Sequence, residues 1–171
     1  MDSLQDPIAF ILDEHERQLE VCDHLEDLMM NPDSEATKSV ASAVFVFLTE
    51  DLPRHIEDEE CDLFPALASR KDSHGDLPVI LDQLVSEHEL DRGLVEPIVE
   101  ELRGIVDGQI PAGSKRFCVN ARAFTEAMRR HLNWENRIVL PLAEKVLTEQ
   151  DRREMGRKMA DRRRSAVSGS K

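Results

Sequence analysis

The sequence predicts an all-α fold: an antiparallel up-and-down four-helix bundle with a short fifth helix at its C-terminal end. Four long segments carry apolar residues at helical spacing and are joined by short connections, which is typical of antiparallel neighbours. Glycine, at 7 of 171 residues, is scarce for a β-rich fold, and the helix-forming residues Leu, Ala, Glu and Arg are frequent. A hydrophobic content of 40% is enough for one domain with a buried core.

The first predicted helix begins at Asp6-Pro7, because proline at the first helical position gives up only an N–H that has no helical partner. It ends at Asn31-Pro32, a pair typical of a helix stop. Its inward-facing residues would be Ile8, Ile11, Leu12, His15, Leu19, Cys22 and Leu25 or Glu26.

The second predicted helix begins at Asp33 or Ser34 and runs to about Arg70. Pro53 and Pro65 lie inside its apolar pattern, so we expect bends or local breaks at both prolines. Its inward-facing residues would be Ala41, Phe45, Leu48, Leu52, His55, Glu59, Leu63 and Ala66.

The third and fourth predicted helices lie on either side of a loop at positions 107–113. A polar turn over 71–77 precedes Pro78, which opens the third helix, and a kink is expected at Pro97. Its inward-facing residues would be Leu81, Leu84, His88, Asp91 or Arg92, Val95 and Val99. The fourth helix ends near Leu147, and its inward-facing residues would be Phe117, Phe124, Met128, His131, Glu135, Ile138 and Leu142.

The end of the chain predicts one more short element. Residues 148–151 fit a capping box that starts the fifth helix, with Met155 and Met159 on one face. We therefore expect the bundle over 1–147, the short helix over 148–164 and a flexible tail over 165–171.

One motif occurs twice and organises the chain. In each copy a histidine is followed by a glutamate four residues later and a proline ten residues later, and another histidine precedes the copy inside a Glu-His-Glu triplet. The residues concerned are His15, His55, Glu59 and Pro65 in the first copy and His88, His131, Glu135 and Pro141 in the second.

The spacing within this motif predicts a pair of metal ions. Residues four apart share one helix face, and at a rise of about 1.5 Å per residue all four histidines lie roughly 22 to 30 Å from their connecting turns, at similar depth. Two ions would each take two histidines and share Glu59 and Glu135. Imidazole and carboxylate ligation with open positions suits iron better than manganese or zinc.

The structural alternative is a set of hydrogen-bonded core residues, since 35 of 171 residues are acidic and a lone His-x-x-x-Glu is weak evidence. Burying four imidazoles and two carboxylates without a metal would, however, carry a large desolvation cost.

His24 and His74 are assigned no metal. The acidic residues flanking the motif form a solvated face or support the ligands, Trp134 shields the site or simply packs, and the run at 162–164 is a helix-end or tail feature.

Composition limits the partners and the compartment. A net charge of -13 argues against a nucleic-acid surface. The first residues lack a secretory signal, no apolar run is long enough for a membrane span, and the three cysteines are spaced as reduced packing residues. We therefore expect a cytoplasmic protein with no membrane or nucleic-acid partner.

The order of these histidines and glutamates resembles that of hemerythrin-like HHE cation-binding domains, over about residues 7 to 147. The resemblance implies a four-helix bundle holding two non-haem iron ions joined by bridging carboxylates and an oxo or hydroxo group. This sequence departs from the oxygen-carrying members of the family at two positions. At Arg92 those members have a second histidine, and in place of Glu135 they have an aspartate at a longer spacing. One ligand is thus absent, which leaves room for water or for Asp91.

Three functions remain open on this basis. The first is a module that binds oxygen or a related small ligand and serves oxygen, iron or redox sensing or storage, with a protein partner or a homodimer possible. The second is a di-iron enzyme that acts on peroxide or nitric oxide. The third is a metal-free helical interaction protein.

Overall fold

The computed structural model describes residues 2–70 and 75–168, and within these ranges the regular elements are helices and the strands are absent. A 3₁₀ turn at Asp2–Gln5 leads into the first helix. The α-helices are α1 (Pro7–Met30), α2 (Thr37–Val46), α3 (Leu52–Asp58), α4 (Phe64–Ala68), α5 (Leu77–Val106), α6 (Lys115–Trp134), α7 (Leu140–Val146) and α8 (Glu149–Ser168). The predicted all-α bundle with an additional C-terminal helix is confirmed.

The bundle has four long helical segments, here called rods: α1, α2 to α4, α5, and α6 with α7. The second and fourth rods contain π-helical turns. α2, α3 and α4 form the second rod through the π segments Phe47–Asp51 and Glu59–Leu63, and α6 continues into α7 through Glu135–Val139. A proline follows each π segment two residues later. The wider turn makes room for the proline ring, which would clash with the carbonyl four residues earlier in a regular α-helix. The irregularities predicted at Pro53 and Pro65 therefore take the form of π turns.

Pro97 behaves differently from the other prolines inside the rods. α5 continues through it as an α-helix from Leu77 to Val106, without a change of helix type. Proline alone therefore does not produce the π turns, and each of the two that begin at Glu59 and Glu135 coincides with a glutamate of the repeated motif.

The core is divided into two apolar clusters with a polar layer between them. One cluster is built from buried apolar residues within 21–28, 41–56, 98–105 and 117–132, together with Ala112. The other is built from buried apolar residues within 8–11, 63–67, 77–84 and 139–147, with Met155 and Met159 of α8. Successive rods pass through the two clusters in alternating order, which is the up-and-down topology that the sequence predicts. On each rod the motif histidine lies near the border of the clusters: His15 and His88 lie between them, and His55 and His131 directly precede the last residue of the first cluster on their rods, Ile56 and Leu132.

The C-terminal helix packs against the second cluster. Thr148 and Asp151 form the predicted capping box, in which the Asp151 backbone N–H donates to the Thr148 hydroxyl and the Thr148 backbone N–H donates to the Asp151 carboxylate. A Cβ atom at Gly156 would clash with the carbonyl oxygen of Leu4, so glycine permits a close approach there. α8 reaches Ser168, which makes 165–168 helical; the rest of the predicted tail lies outside the described residues.

Several predicted inward positions differ from the buried ones. Leu12 and Leu19 are exposed, whereas Glu14 and Gln18 on the same helix are buried. Ile138 is also exposed, because the π turn rotates the helix face and brings Val139 inward instead. In the other rods Val44, Leu67, Ile98 and Leu102 are buried, and Phe45, Ala66, Val95 and Val99 are only partly buried.

The structure corrects two further predictions, one about where the second rod begins and one about the cysteines. The second rod starts at Thr37 rather than at Asp33 or Ser34, since the residues before it form turns. Cys22 is buried as expected, but Cys61 is exposed and therefore does not pack in the core. In the part of the chain that the structure describes, no helix is both long and apolar enough to cross a membrane.

Candidate metal centre

The six motif residues meet in the polar layer between the two apolar clusters. They form two groups of four, each of which could hold a metal ion, and the ligand atoms of each group lie within 4.8 Å of one another. The first group is His15, His55, Glu59 and Glu135, and the second is Glu59, His88, His131 and Glu135. Both glutamates belong to both groups. All six side chains are buried, with exposed fractions of 0 to 3%.

Glu59 and Glu135 lie at the centre of this arrangement. One oxygen of Glu59 lies 3.3 Å from His15 Nε2, and its other oxygen lies 3.3 Å from the Nε2 atoms of both His55 and His88. One oxygen of Glu135 lies 3.4 Å from His15 Nε2 and 3.3 Å from His131 Nε2. Each carboxylate therefore reaches imidazoles of both groups, as a bridging ligand would.

The donor atoms at the centre fit a cation. Glu59 Oε2 and both carboxylate oxygens of Glu135 are buried without a hydrogen-bond partner. Burying a carboxylate oxygen without a partner is costly, because it loses its hydration and gains nothing in return. A metal ion among these atoms would satisfy them, and imidazole with carboxylate is a ligand set that iron, manganese and zinc accept.

Each histidine ring has an acceptor near its outer nitrogen, and in three of the four rings that nitrogen forms a hydrogen bond. His15 Nδ1 lies 2.5 Å from Asn136 Oδ1, whereas His55 Nδ1 lies 3.4 Å from Glu14 Oε2, which is an ion-pair contact without a hydrogen bond. His88 Nδ1 lies 2.9 Å from Glu60 Oε1, and His131 Nδ1 lies 3.0 Å from Glu87 Oε2. An Nδ1 that faces outward leaves Nε2 directed at the centre, and Nε2 is the nitrogen that would bind a metal once it has lost any proton.

These outer partners were predicted only in part. Glu14, Glu60 and Glu87 belong to the flanking acidic residues, for which support of the ligands was one of two interpretations. Asn136 was missed, although its place directly after Glu135 in the π segment brings it to His15 on another helix. An amide next to a motif glutamate is too common a pattern to single out in a sequence.

The central carboxylates and the histidines shift one another's ionisation. Burial alone would lower the pKa of His55, but the negative charge of Glu59 and contacts with Glu14 outweigh it and raise the pKa to about 10. His131 responds in the same way, since Glu135 overcomes the effect of burial and raises its pKa to about 9. Burial opposes ionisation of Glu59, yet the neighbouring histidines hold its pKa well below the usual range.

The remaining candidate residues lie outside the two groups. Arg92, at the position where the resemblance expects a histidine, is half exposed and pairs with Glu60 at 3.1 Å. Asp91 is buried but is not among the atoms of either group, so the structure does not bring it in as a ligand. His24 is exposed, as predicted, and Trp134 is 46% exposed. His74 lies outside the described residues.

A comparison with protein-family models matches the part of the chain that contains the six motif residues. Residues 6–143 match the family model described as the hemerythrin HHE cation binding domain. A comparison with curated proteins gave no match. Because the family model covers most of the chain and includes all six residues of the two groups, the protein belongs to the hemerythrin HHE cation-binding family.

Proposed function

We propose that this protein binds two non-haem iron ions through His15, His55, Glu59, His88, His131 and Glu135, and that the iron pair takes up oxygen or a related small ligand in oxygen, iron or redox sensing or storage. The observation that carries the proposal is the pair of four-residue groups that share both glutamates. Each ion would receive two imidazole nitrogens and two carboxylate oxygens. Four protein ligands leave positions open on a metal such as iron that accepts more.

The protein's own residues support binding more than turnover. Iron, when bound, would supply Lewis-acid and redox chemistry. The apolar clusters on either side exclude water from the polar layer, and hydrogen bonds to the outer nitrogens of His15, His88 and His131 orient these rings. Since the outer nitrogen of each ring already faces a side chain, no nitrogen of these histidines remains for acid–base catalysis on a bound molecule.

Iron content and optical spectra test this proposal. The purified protein, reconstituted with ferrous iron without oxygen, should retain about two irons per chain, as the ligand count implies. Its spectrum should change when oxygen is admitted and return when oxygen is removed. We expect His131→Ala to lose iron and unfold at a lower temperature, because metal binding stabilises the folded state.

The control for this experiment is His24→Ala, which removes an exposed histidine from α1 and should keep wild-type iron content. Full iron occupancy in His131→Ala would contradict the assignment of this ligand. Consumption of peroxide or nitric oxide far above that by the same concentration of free iron would assign a di-iron enzyme instead of a binding module.

A further inference from the structure

The C-terminal helix is an addition to the matched domain and carries charge opposite to that of the rest of the chain. α8 begins at Glu149, beyond the family match that ends at residue 143. It has seven Arg and Lys residues against four Asp and Glu residues, in a chain whose net charge is -13. Two of these arginines, Arg162 and Arg163, are largely covered by the acidic faces of α1 and the second rod.

Arg163 enters the bundle next to the first metal-binding group. Its guanidinium lies 3.2 Å from Glu14 Oε2 and 2.7 Å from Asp58 Oδ2, and it lies over the ring of Phe10 at 4.4 Å from the centroid. Asp58 is fully buried and also pairs through its other oxygen with Arg162. A buried carboxylate that is held by two guanidinium groups fixes both arginines, since removing either leaves it undercompensated.

The same oxygen of Glu14 that accepts from Arg163 also faces the metal-binding histidine. Glu14 Oε2 lies 3.4 Å from His55 Nδ1, close enough for an ion pair although the two atoms form no hydrogen bond. We propose that Arg163 is a positioning residue for His55: it holds Glu14 in place, and Glu14 orients the ring whose other nitrogen lies among the metal-binding atoms. The structure thus connects α8 to the metal centre in two contacts. The inference rests on the proposed function, because it assumes that this centre binds metal.

The connection is specific to one of the two ions. On the opposite side of the centre, Glu60 orients His88 and pairs with Arg92, but Arg92 is 51% exposed and lies on α5 beside His88. A pair that is open to solvent is screened and contributes little. The buried connection from α8 would therefore act most directly on an ion held by His15 and His55, because the corresponding contact of His88 is made by Glu60 and the exposed Arg92 of α5.

Coupling of this kind works in both directions. If docking of α8 strengthens binding of one ion, binding of that ion must strengthen the docking of α8 by the same factor. Metal occupancy would then change how firmly a basic helix at the surface is held, which is a route by which a small-ligand site could affect the outside of the bundle.

Ferrous iron titration of the full-length protein tests the inference. We expect Arg163→Gln to bind one of the two irons roughly tenfold more weakly, the lower end of the loss seen when a partner of a metal-binding histidine is removed. Arg163→Lys keeps the charge and should recover part of this affinity. Gly156→Ala, which forces α8 away from Leu4 without touching the arginines, should weaken the same single iron.

The matched control is Arg157→Gln, an arginine of the same helix that is 63% exposed and whose ion pair, among the described residues, is with Asp161 of α8. It should bind both irons as the wild type does. A double-mutant cycle gives a second test: in Glu14→Gln, the further change Arg163→Gln should have no added effect on iron affinity.

Each outcome decides the matter. A folded Arg163→Gln variant with wild-type affinity for both irons, or equal effects in Arg157→Gln, would overturn the inference and leave the proposed function intact. A wild-type protein that binds no iron would instead overturn the proposed function and the inference with it. If Arg163→Gln does not fold, hydrogen exchange of wild-type α8 with and without iron decides: protection that rises with iron supports the inference, and unchanged protection refutes it.

Discussion

Raising the pH should tighten metal binding, because two of the four histidines hold protons that an ion has to displace. Burial opposes their charge, but the neighbouring carboxylates raise the pKa of His55 to about 10 and that of His131 to about 9 in the metal-free protein. At pH 7 both rings therefore carry a proton on the nitrogen that the ion needs. One of these rings belongs to each four-residue group.

The size of the effect follows from this count. Each ion releases one proton from its own group, so its affinity should rise about tenfold per pH unit while the pH stays below the pKa of the displaced ring. Loading both sites near pH 7 should release about two protons per chain from these rings. Calorimetric titration with a divalent metal, in buffers that differ in ionisation enthalpy, measures this number directly. A binding enthalpy independent of the buffer would refute the reasoning.

The same two histidines act in the opposite direction on the metal-free fold. A ring whose pKa is raised above its unfolded value of about 6.5 stabilises the folded state fully below that pH. This contribution is lost as the pH rises through about 9 for His131 and about 10 for His55. The unfolding temperature of the metal-free protein should therefore fall over this range, and the gap between metal-loaded and metal-free protein should widen.

Two further predictions concern the fold itself. Leu25→Ala, at a position with no exposed surface in the first apolar cluster, should lower the free energy of unfolding by about 2 to 5 kcal/mol in urea denaturation; the exposed Val46→Ala is its control, and equal losses would contradict the assigned core. Asp6→Ala removes the side chain that accepts from the Ile8 and Ala9 backbone N–H groups at 3.2 Å, and should cost about 1 kcal/mol by the same measurement, with Asp33→Ala as the control.

The sequence was sufficient to predict the bundle and the grouping of the six motif residues, for a physical reason. A histidine and a glutamate four residues apart must share a helix face, and two antiparallel repeats bring such faces to the same depth. These relations depend on spacing alone. Whether the six residues hold two irons stays a prediction until metal content is measured.

The remaining details depend on contacts that spacing does not specify. Leu12 was expected inside and Glu14 was not, but Glu14 is buried and its carboxylate contacts an arginine 149 residues later in the chain. Ile138 was expected inside because a regular helix was assumed, and the π turn after Glu135 changes the face by one position. Neither the docking of α8 nor the local widening of a helix leaves a periodic signal.

The polar layer has a consequence for how the protein matures before it acquires metal. Each half of the molecule has an apolar core of its own, but the polar layer between them buries three carboxylate oxygens of Glu59 and Glu135 that have no hydrogen-bond partner. We expect the metal-free protein to unfold locally at this polar layer first, while the apolar clusters at both ends remain folded. In chelator-treated protein, amide hydrogen exchange should be fastest around His55 and His131. This result would indicate that bound metal links the two halves of the bundle.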